Sequence, residues 1–224
     1  MQKAVIIFGP PGAGKGTQAE MLADRFGFLH LETSRIIEEA LRTHEPSEQI
    51  IPDKPFTYTG EKDNFDKGIL VEPEVVVYWM AEAIRRNASA GRSVVFSGSP
   101  RTLFEAEQLH PVLRKSFSPG GIICFYLSVP PELSVARNKV RRICAVCRLP
   151  HRPDAAVIVC LRCGGELATR GRLDSEESLR TRLKEFEERT MPGIHYLTEQ
   201  GIVISHINGA VAPEEIFSQL QRAV

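Results

Sequence analysis

The chain has 224 residues, 42% hydrophobic and 25% charged. This is ordinary globular composition, and the length suits one domain, or one core domain with inserted modules, that buries its core without disulfides. Its 28 basic and 28 acidic side chains cancel, which argues against nucleic-acid or membrane binding through a global positive field.

In chain order, short apolar runs alternate with longer helical stretches. Strands are predicted at Ala4–Phe8, Gly27–Leu31, Ser93–Phe96, Gly121–Val129 and Ile202–Ile207. Helices are predicted at Lys15–Phe26, Ser34–Arg42, Glu74–Ala90, Thr102–Lys115, Pro131–Arg142, Ser175–Gln200 and Pro213–Arg222. Pro192 is expected to kink or divide the long late helix. Near-continuous apolar strands alternating with helices predict an α/β fold, a parallel sheet covered on both faces. The first strand is short and runs into glycines and a lysine, so it reads as buried and not as a signal peptide. No run approaches the roughly 20 apolar residues of a membrane span, and a cytoplasmic protein is expected.

Two stretches break the rhythm and read as insertions. Residues 43–73 are polar, with three internal prolines, and residues 143–173 hold four cysteines. The neutral total also hides two opposed windows. Residues 137–182 carry eleven basic and five acidic side chains, and residues 32–74 carry eleven acidic and five basic. Arginine supplies 20 of the 28 basic residues, which suits planar, bidentate recognition of phosphate or carboxylate.

Gly9-Pro10-Pro11-Gly12-Ala13-Gly14-Lys15-Gly16-Thr17 follows a strand and opens a helix. That is the context of a phosphate-binding P-loop: glycines let backbone N–H groups converge on phosphate oxygens, the helix N-terminus adds partial positive charge, and the lysine reaches the β- and γ-phosphates. The general pattern places Ser or Thr directly after the lysine, whereas here Gly16 intervenes. Further on, Cys144-x2-Cys147 and Cys160-x2-Cys163 have the sulfur spacing of a closed tetrahedral zinc site, with a redox role for either pair as the alternative. The fifth cysteine, Cys124, lies in an apolar strand and reads as an inert buried thiol.

Gly9 to Thr17 continued by Gln18 resembles the adenylate kinase family of nucleoside monophosphate kinases, in which a glycine before the threonine is usual. Zinc-bearing members carry two C-x2-C knuckles in the lid over ATP. The flanks Arg141-Arg142-Ile143-Cys144 and Cys163-Gly164-Gly165-Glu166-Leu167 agree, with a shorter hairpin between the knuckles. The resemblance runs from Ile6 to the last helix. It implies a P-loop NTPase fold with a five-stranded parallel sheet. The core would be residues 1–31, 74–142 and 174–224, the acceptor module 32–73 and the zinc-binding lid 143–173. It implies transfer of the γ-phosphoryl group of Mg2+-bound ATP to AMP or another nucleoside monophosphate, by a monomer with structural zinc and no nucleic-acid or membrane partner.

Residue by residue, the resemblance implies ATP binding by Gly12, Ala13, Gly14, Lys15, Gly16, Thr17, Arg137 and Val211. It implies catalytic roles for Lys15, Arg101, Arg141, Arg182 and a lid arginine, Arg172 or Arg170. Arg137 and Arg141, four apart, are expected on one helical face, and Asp174-Ser175-Glu176-Glu177 matches the family's acidic stretch. Acceptor binding falls to Thr33, Arg35, Val71, Gly98, Arg101 and Glu105, and zinc binding to Cys144, Cys147, Cys160 and Cys163. Gly68-Ile69-Leu70-Val71 resembles the strand beside the acceptor base.

The departures gather at the acceptor side. Thr33-Ser34-Arg35-Ile36-Ile37-Glu38 stands where the family has Thr-Gly-Asp-x-x-Arg, so acid and arginine are exchanged. Three apart on a helix, Arg35 and Glu38 are expected to form a charge-swapped pair, with Arg35 either taking the acceptor phosphate or touching no ligand. Ser97 replaces the acid expected to hold Mg2+ through water, which leaves the ion to nucleotide phosphates and waters. Glu105 replaces an adenine-reading glutamine; an ionised carboxylate only accepts, which makes guanine, with two adjacent donors, the first alternative. Phe56, Tyr58 and Phe65 either stack on a base or anchor their loop. Two further readings stand beside the kinase: a nucleotide binder without transfer activity, and a zinc-ribbon nucleic-acid module. The second lacks stacking aromatics near the knuckles.

Overall fold

The run Ala4–Phe8 forms β1 and is buried along its whole length, because helices cover both faces of the sheet it enters. The computed structural model describes residues 1–45, 47–66, 71–151, 156–169 and 175–224. Within them β1 is followed by α1 (Lys15–Phe26), β2 (Leu29–Leu31), α2 (Thr33–Thr43), α3 (Tyr58–Asp66), α4 (Pro73–Ser89), β3 (Val94–Phe96) and α5 (Leu103–Ser116). Then come β4 (Ile122–Ser128), α6 (Pro131–Lys139), β5 (Arg142–Cys144), β6 (Pro150–His151), β7 (Leu167–Ala168), α7 (Glu176–Glu185), α8 (Met191–Glu199), β8 (Ile204–Asn208) and α9 (Pro213–Ala223).

Five strands make one parallel sheet in the order β2-β3-β1-β4-β8. Side chains of β1 alternate between two cores. Ala4, Ile6 and Phe8 pack with residues of α4, α5 and α8, while Val5 and Ile7 pack with residues of α1 and α9. The chain leaves β1 to one side for β2 and β3 and to the other for β4, so the order reverses at β1. The crevice beyond the carboxyl ends of these strands is where such sheets bind ligands.

α1 has the predicted bounds because glycines in the left-handed region punctuate both ends, Gly14 at φ 94° and Gly27 at φ 68°. The long late helix is divided next to Pro192, as expected. α7 and α8 are joined by a π-helical turn, Phe186–Thr190, directly before it, and the wider turn accommodates a residue that has no N–H to donate. α6 stops at Lys139, three residues short of its predicted end. Val140 caps it, the Arg141 N–H turns back to the Asn138 carbonyl, and Arg142 already belongs to β5.

The two insertions add elements outside the main sheet. The cysteine-bearing segment forms a small antiparallel sheet, β6-β5-β7. The polar segment contains α3, which was not predicted. Its apolar support is non-local: Ile37, Ala40, Ile50, Tyr58, Val71, Val75 and Trp79 form a third cluster, against which Phe56 and Phe65 pack. Tyr58 stacks on His44 at 4.5 Å and on Trp79 at 6.0 Å, so this aromatic anchors its segment. Among the described residues no helix is long and apolar enough to cross a membrane.

Candidate active site

The loop from Gly9 to Thr17 wraps the N-terminus of α1 at the carboxyl end of β1. Gly12 sits at φ +76°, and a Cβ there would lie 2.4 Å from Asn138 Nδ2 and 2.8 Å from the Ser134 carbonyl. Only glycine allows the loop to lie this close to α6. Ser134 Oγ donates to the Pro11 carbonyl, and Asn138 Nδ2 donates to the Ser134 carbonyl at 2.7 Å, which fixes the outer wall of the loop. Lys15 Nζ donates to the carbonyls of Gly9 at 2.7 Å and Pro10 at 2.9 Å.

Lys15 is the electrostatic centre of the site. Burial, followed by the positive charges of Arg101, Arg182 and Arg141, lowers its pKa from 10.5 to about 7. The structure thus brings four of the five predicted catalytic cations together from α1, the β3–α5 turn, the α6–β5 turn and α7. Four cationic side chains near one another give the P-loop a positive potential that suits phosphate oxygens. Arg172 and Arg170 lie outside the described residues, as do Asp174 and the Gly68–Leu70 segment. Arg137 and Arg141 do not share a helical face, since α6 ends between them. Arg137 instead clamps the P-loop to the turn after β8. Its Nη1 donates to the Gly209 carbonyl at 2.6 Å and its Nη2 to that of Ala210 at 3.3 Å, beside Val211.

On the acceptor side, Thr33, Gly98 and Arg101 converge. A Cβ on Gly98 would lie 2.9 Å from Arg101 Nη2 and 3.2 Å from Thr33 Oγ1, and Arg101 Nε donates to the Gly98 carbonyl. Thr33 Oγ1 is buried and has no hydrogen-bond partner among the described residues. Val71 lies in the adjoining apolar cluster. Glu105 is buried, and its Oε2 accepts from Ser99 Oγ at 2.8 Å and from the Arg101 N–H at 2.9 Å. It therefore braces the turn that carries Arg101, while its Oε1 makes no such bond among the described residues.

Arg35 and Glu38 do not pair with each other. Arg35 Nη2 lies 3.1 Å from Glu20 Oε1 and its Nε 3.0 Å from Glu32 Oε2, whereas Glu38 pairs with Arg148 of the cysteine insertion. The reason is that each has a closer opposite charge on another element. Glu20 is the residue that pattern reading missed. His30 Nδ1 lies 2.8 Å from its Oε1 and Arg162 Nη1 2.5 Å from its Oε2, and on the far side of the imidazole Ser97 Oγ lies 2.6 Å from His30 Nε2. Burial alone would raise the Glu20 pKa, but the bonds from His30 and Arg162 outweigh it and bring it to about 2. No motif marks Glu20, His30, Arg148 or Arg162, because the partners meet only through the tertiary fold.

The four knuckle sulfurs lie within 4.8 Å of one another, with Cys144 to Cys163 at 3.4 Å and Cys147 to Cys160 at 3.5 Å. Zn–S bonds of about 2.3 Å in a tetrahedron give sulfur separations of about 3.8 Å, so the set fits that ion. The N–H groups of Val146 and Cys147 each point at Cys144 Sγ from 3.3 Å, and with the bond from Cys147 leading they lower its pKa, which favours the ligating thiolate. Cys124 stands apart in β4, where burial raises its pKa to about 12 and leaves it an inert thiol.

A lysine on a phosphate loop with three arginines near it is equipment for moving a phosphoryl group. By class this is a P-loop phosphotransferase. The family model described as adenylate kinase matches residues 7–202. The chain is 33% identical to an adenylate kinase of Carboxydothermus hydrogenoformans over 98% of both chains. It is 32% identical to one of Methanothrix thermoacetophila over 98% of this chain and 97% of the relative. It is 34% identical to one of Haloarcula marismortui over 98% and 95%. The chain belongs to the adenylate kinase family.

Proposed function

We propose that the protein transfers the γ-phosphoryl group of ATP reversibly to a nucleoside monophosphate, giving ADP and a nucleoside diphosphate. The observation that carries this reading is the convergence of Arg101, Arg141 and Arg182 on the partly buried Lys15. Phosphoryl transfer needs little covalent help; it needs two nucleotides held in line and neutralisation of charge on the equatorial oxygens. An oxygen of the acceptor phosphate attacks the γ-phosphorus, the bond to the β-phosphate oxygen breaks, and ADP departs. Lys15 holds the β- and γ-oxygens, Arg101 spans donor and acceptor from the Gly98 turn, and Arg141 and Arg182 neutralise charge on the lid side, joined by Arg172 or Arg170. Gly12 to Thr17 supply backbone N–H groups, and Arg137 and the turn at Val211 flank the donor base. Thr33, Gly98 and Val71 line the acceptor pocket, where the Thr33 hydroxyl has no partner among the described residues.

Mg2+ carried with ATP would supply positive charge to the phosphates. Ser97 offers a neutral hydroxyl and no carboxylate, so the ion's holding would rest on the nucleotide and water. Zinc would be held by Cys144, Cys147, Cys160 and Cys163 as a structural ion, and four free thiols gathered at one point fit a reducing cytoplasm. AMP is the first acceptor to expect and GMP the second, since Glu105 keeps one acceptor oxygen uncommitted. Arg35 is committed to two carboxylates, which favours Arg101 as the arginine on the acceptor phosphate.

The test is a coupled assay of ADP release over AMP, GMP, CMP and UMP, with Glu105→Gln and metal analysis on the same sample and sedimentation to check a monomer. Turnover on AMP or GMP supports the proposal. ATP binding without turnover on any monophosphate leaves a nucleotide binder instead. Strict AMP preference unchanged by Glu105→Gln removes the guanine reading.

A further inference from the structure

The cysteine insertion meets the rest of the molecule through two arginines, each set by a knuckle. Arg148 follows Cys147 and pairs with Glu38 on α2. Arg162 lies between Cys160 and Cys163, where the Cys160 N–H to Gly165 carbonyl and Gly164 N–H to Cys160 carbonyl bonds, both 2.8 Å, shape the turn. It lands on Glu20 at 2.5 Å and on Asp24 at 3.1 Å, both on α1. Glu20 is one helical turn beyond Thr17, and the insertion already overhangs this end of α1, since a Cβ on Gly16 would lie 3.9 Å from Pro150 Cγ.

This is not an ordinary surface pair. The Glu20 side chain is only 8% exposed, and it holds a core imidazole, His30, and an acceptor-side guanidinium, Arg35, as well as Arg162. Acids and arginines alternate along the row Glu32, Arg35, Glu20, Arg162, Asp24, so neither arginine faces the other uncompensated. Networks of this kind on a desolvated acid are worth more than isolated exposed pairs. Removing Arg162 would leave Glu20 with its other partners, so the fold tolerates an undocked insertion, whereas docking adds a third donor.

Resting on the phosphotransferase reading, we propose that Glu20 is a positioning residue for it. Its carboxylate is the socket for Arg162, so the cysteine insertion seats over the P-loop when that arginine reaches the acid that also holds His30 and Arg35. Glu20 thereby ties lid, acceptor side and core together at one atom pair, and ATP is retained by a lid latched to α1.

The test uses the full chain and needs no turnover: ATP affinity by calorimetry without acceptor, hydrogen exchange of residues 156–169 with and without ATP, and zinc content. Arg162→Ala and Glu20→Gln are each expected to weaken ATP about tenfold and to speed exchange in 156–169. The double variant should be no more than about twofold weaker than either alone, with zinc unchanged, and Arg162→Lys should recover most of the loss. Wild-type affinity and exchange in Arg162→Ala, roughly hundredfold additive losses in the double variant, or zinc loss in Arg162→Ala would each overturn the latch. If the wild type binds no ATP or fails to turn over, the functional reading fails by itself, while exchange in the unliganded variants still decides the latch.

Discussion

Ser97 Oγ lies 2.6 Å from His30 Nε2. On the other side of the ring stands the Glu20 carboxylate, which can only accept, so Nδ1 carries a proton. In the neutral ring Nε2 then accepts from the Ser97 hydroxyl. The acid that the family resemblance expects at position 97 is absent, and a carboxylate stands instead across the imidazole. Ser97→Asp restores a full negative charge at the end of β3. It is expected to lower the Mg2+ concentration for half-maximal turnover several-fold, while Ser97→Ala leaves that concentration within about twofold. Mg2+ titrations of turnover at fixed ATP check both.

Lys15 gives a pH dependence with a definite sign. In the free site its pKa is about 7, set by burial and then by Arg101, Arg182 and Arg141. Phosphate oxygens favour the protonated amine, so ATP binding raises that pKa and takes up a proton. Affinity is expected to be flat below pH 7 and to weaken by up to about tenfold per pH unit above it, until the pKa of the bound state is reached. Calorimetry in buffers of different ionisation enthalpy should show near-complete proton uptake at pH 8 and little at pH 6. Lys15→Met should abolish the uptake.

The main sheet was legible because its cues are local. Continuous apolar runs mark β1 and β4, and glycines punctuate both ends of α1. The P-loop and the cysteine pairs were legible because phosphate and zinc each demand particular residues at short spacing. α3 was not legible, because Thr59, Gly60 and a run of charges give it no apolar period, and its support from Trp79 and Ile37 comes from other elements. The pairing of Arg35 and Glu38 was misread for a related reason. Helical spacing makes them neighbours, but the three-dimensional fold offers Glu20 to one and Arg148 to the other. The opposed charge windows of the sequence meet here, through Arg148 and Glu38.

Glu20 also governs acid stability. Its folded pKa of about 2 lies below the ordinary 4.5. The stabilisation is therefore complete above pH 4.5 and is lost as pH falls through about 2. A difference of this size corresponds to about 3 kcal/mol. Glu20→Gln should flatten the pH dependence of unfolding free energy between pH 4.5 and 2.5, as measured by urea melts, and should change the slope little above pH 5.

Glu38 should matter less than its position suggests. Its partner Arg148 is partly exposed, and such pairs contribute below about 1 kcal/mol. Since Glu38 faces the cysteine insertion, Glu38→Ala is expected to leave stability within about 1 kcal/mol and the KM for AMP within about twofold. A tenfold change in that KM, in steady-state kinetics, would show that Glu38 does act on the acceptor site.

On the zinc reading, the cysteine insertion should depend on a bound metal for order. Strands of three, two and two residues are too short to hold a sheet without further support. Val146, Ile158 and Leu161 are 72%, 74% and 79% exposed, so the aliphatic side chains give it little core. What lies inside is sulfur and an imidazole: Cys144, Cys160 and His151, whose Nε2 lies 3.3 Å from Cys160 Sγ. Cys144→Ser is therefore expected to reduce zinc from one per chain to near zero. It should abolish protection from exchange over 156–169 and raise the KM for ATP about tenfold, as Arg148 and Arg162 lose their fixed turns. The parallel sheet draws its stability from other clusters, so the main melting transition should fall by less than about 5 °C. A chelator applied to the wild type should reproduce the kinetic change, and restored zinc should reverse it only where all four thiols are intact.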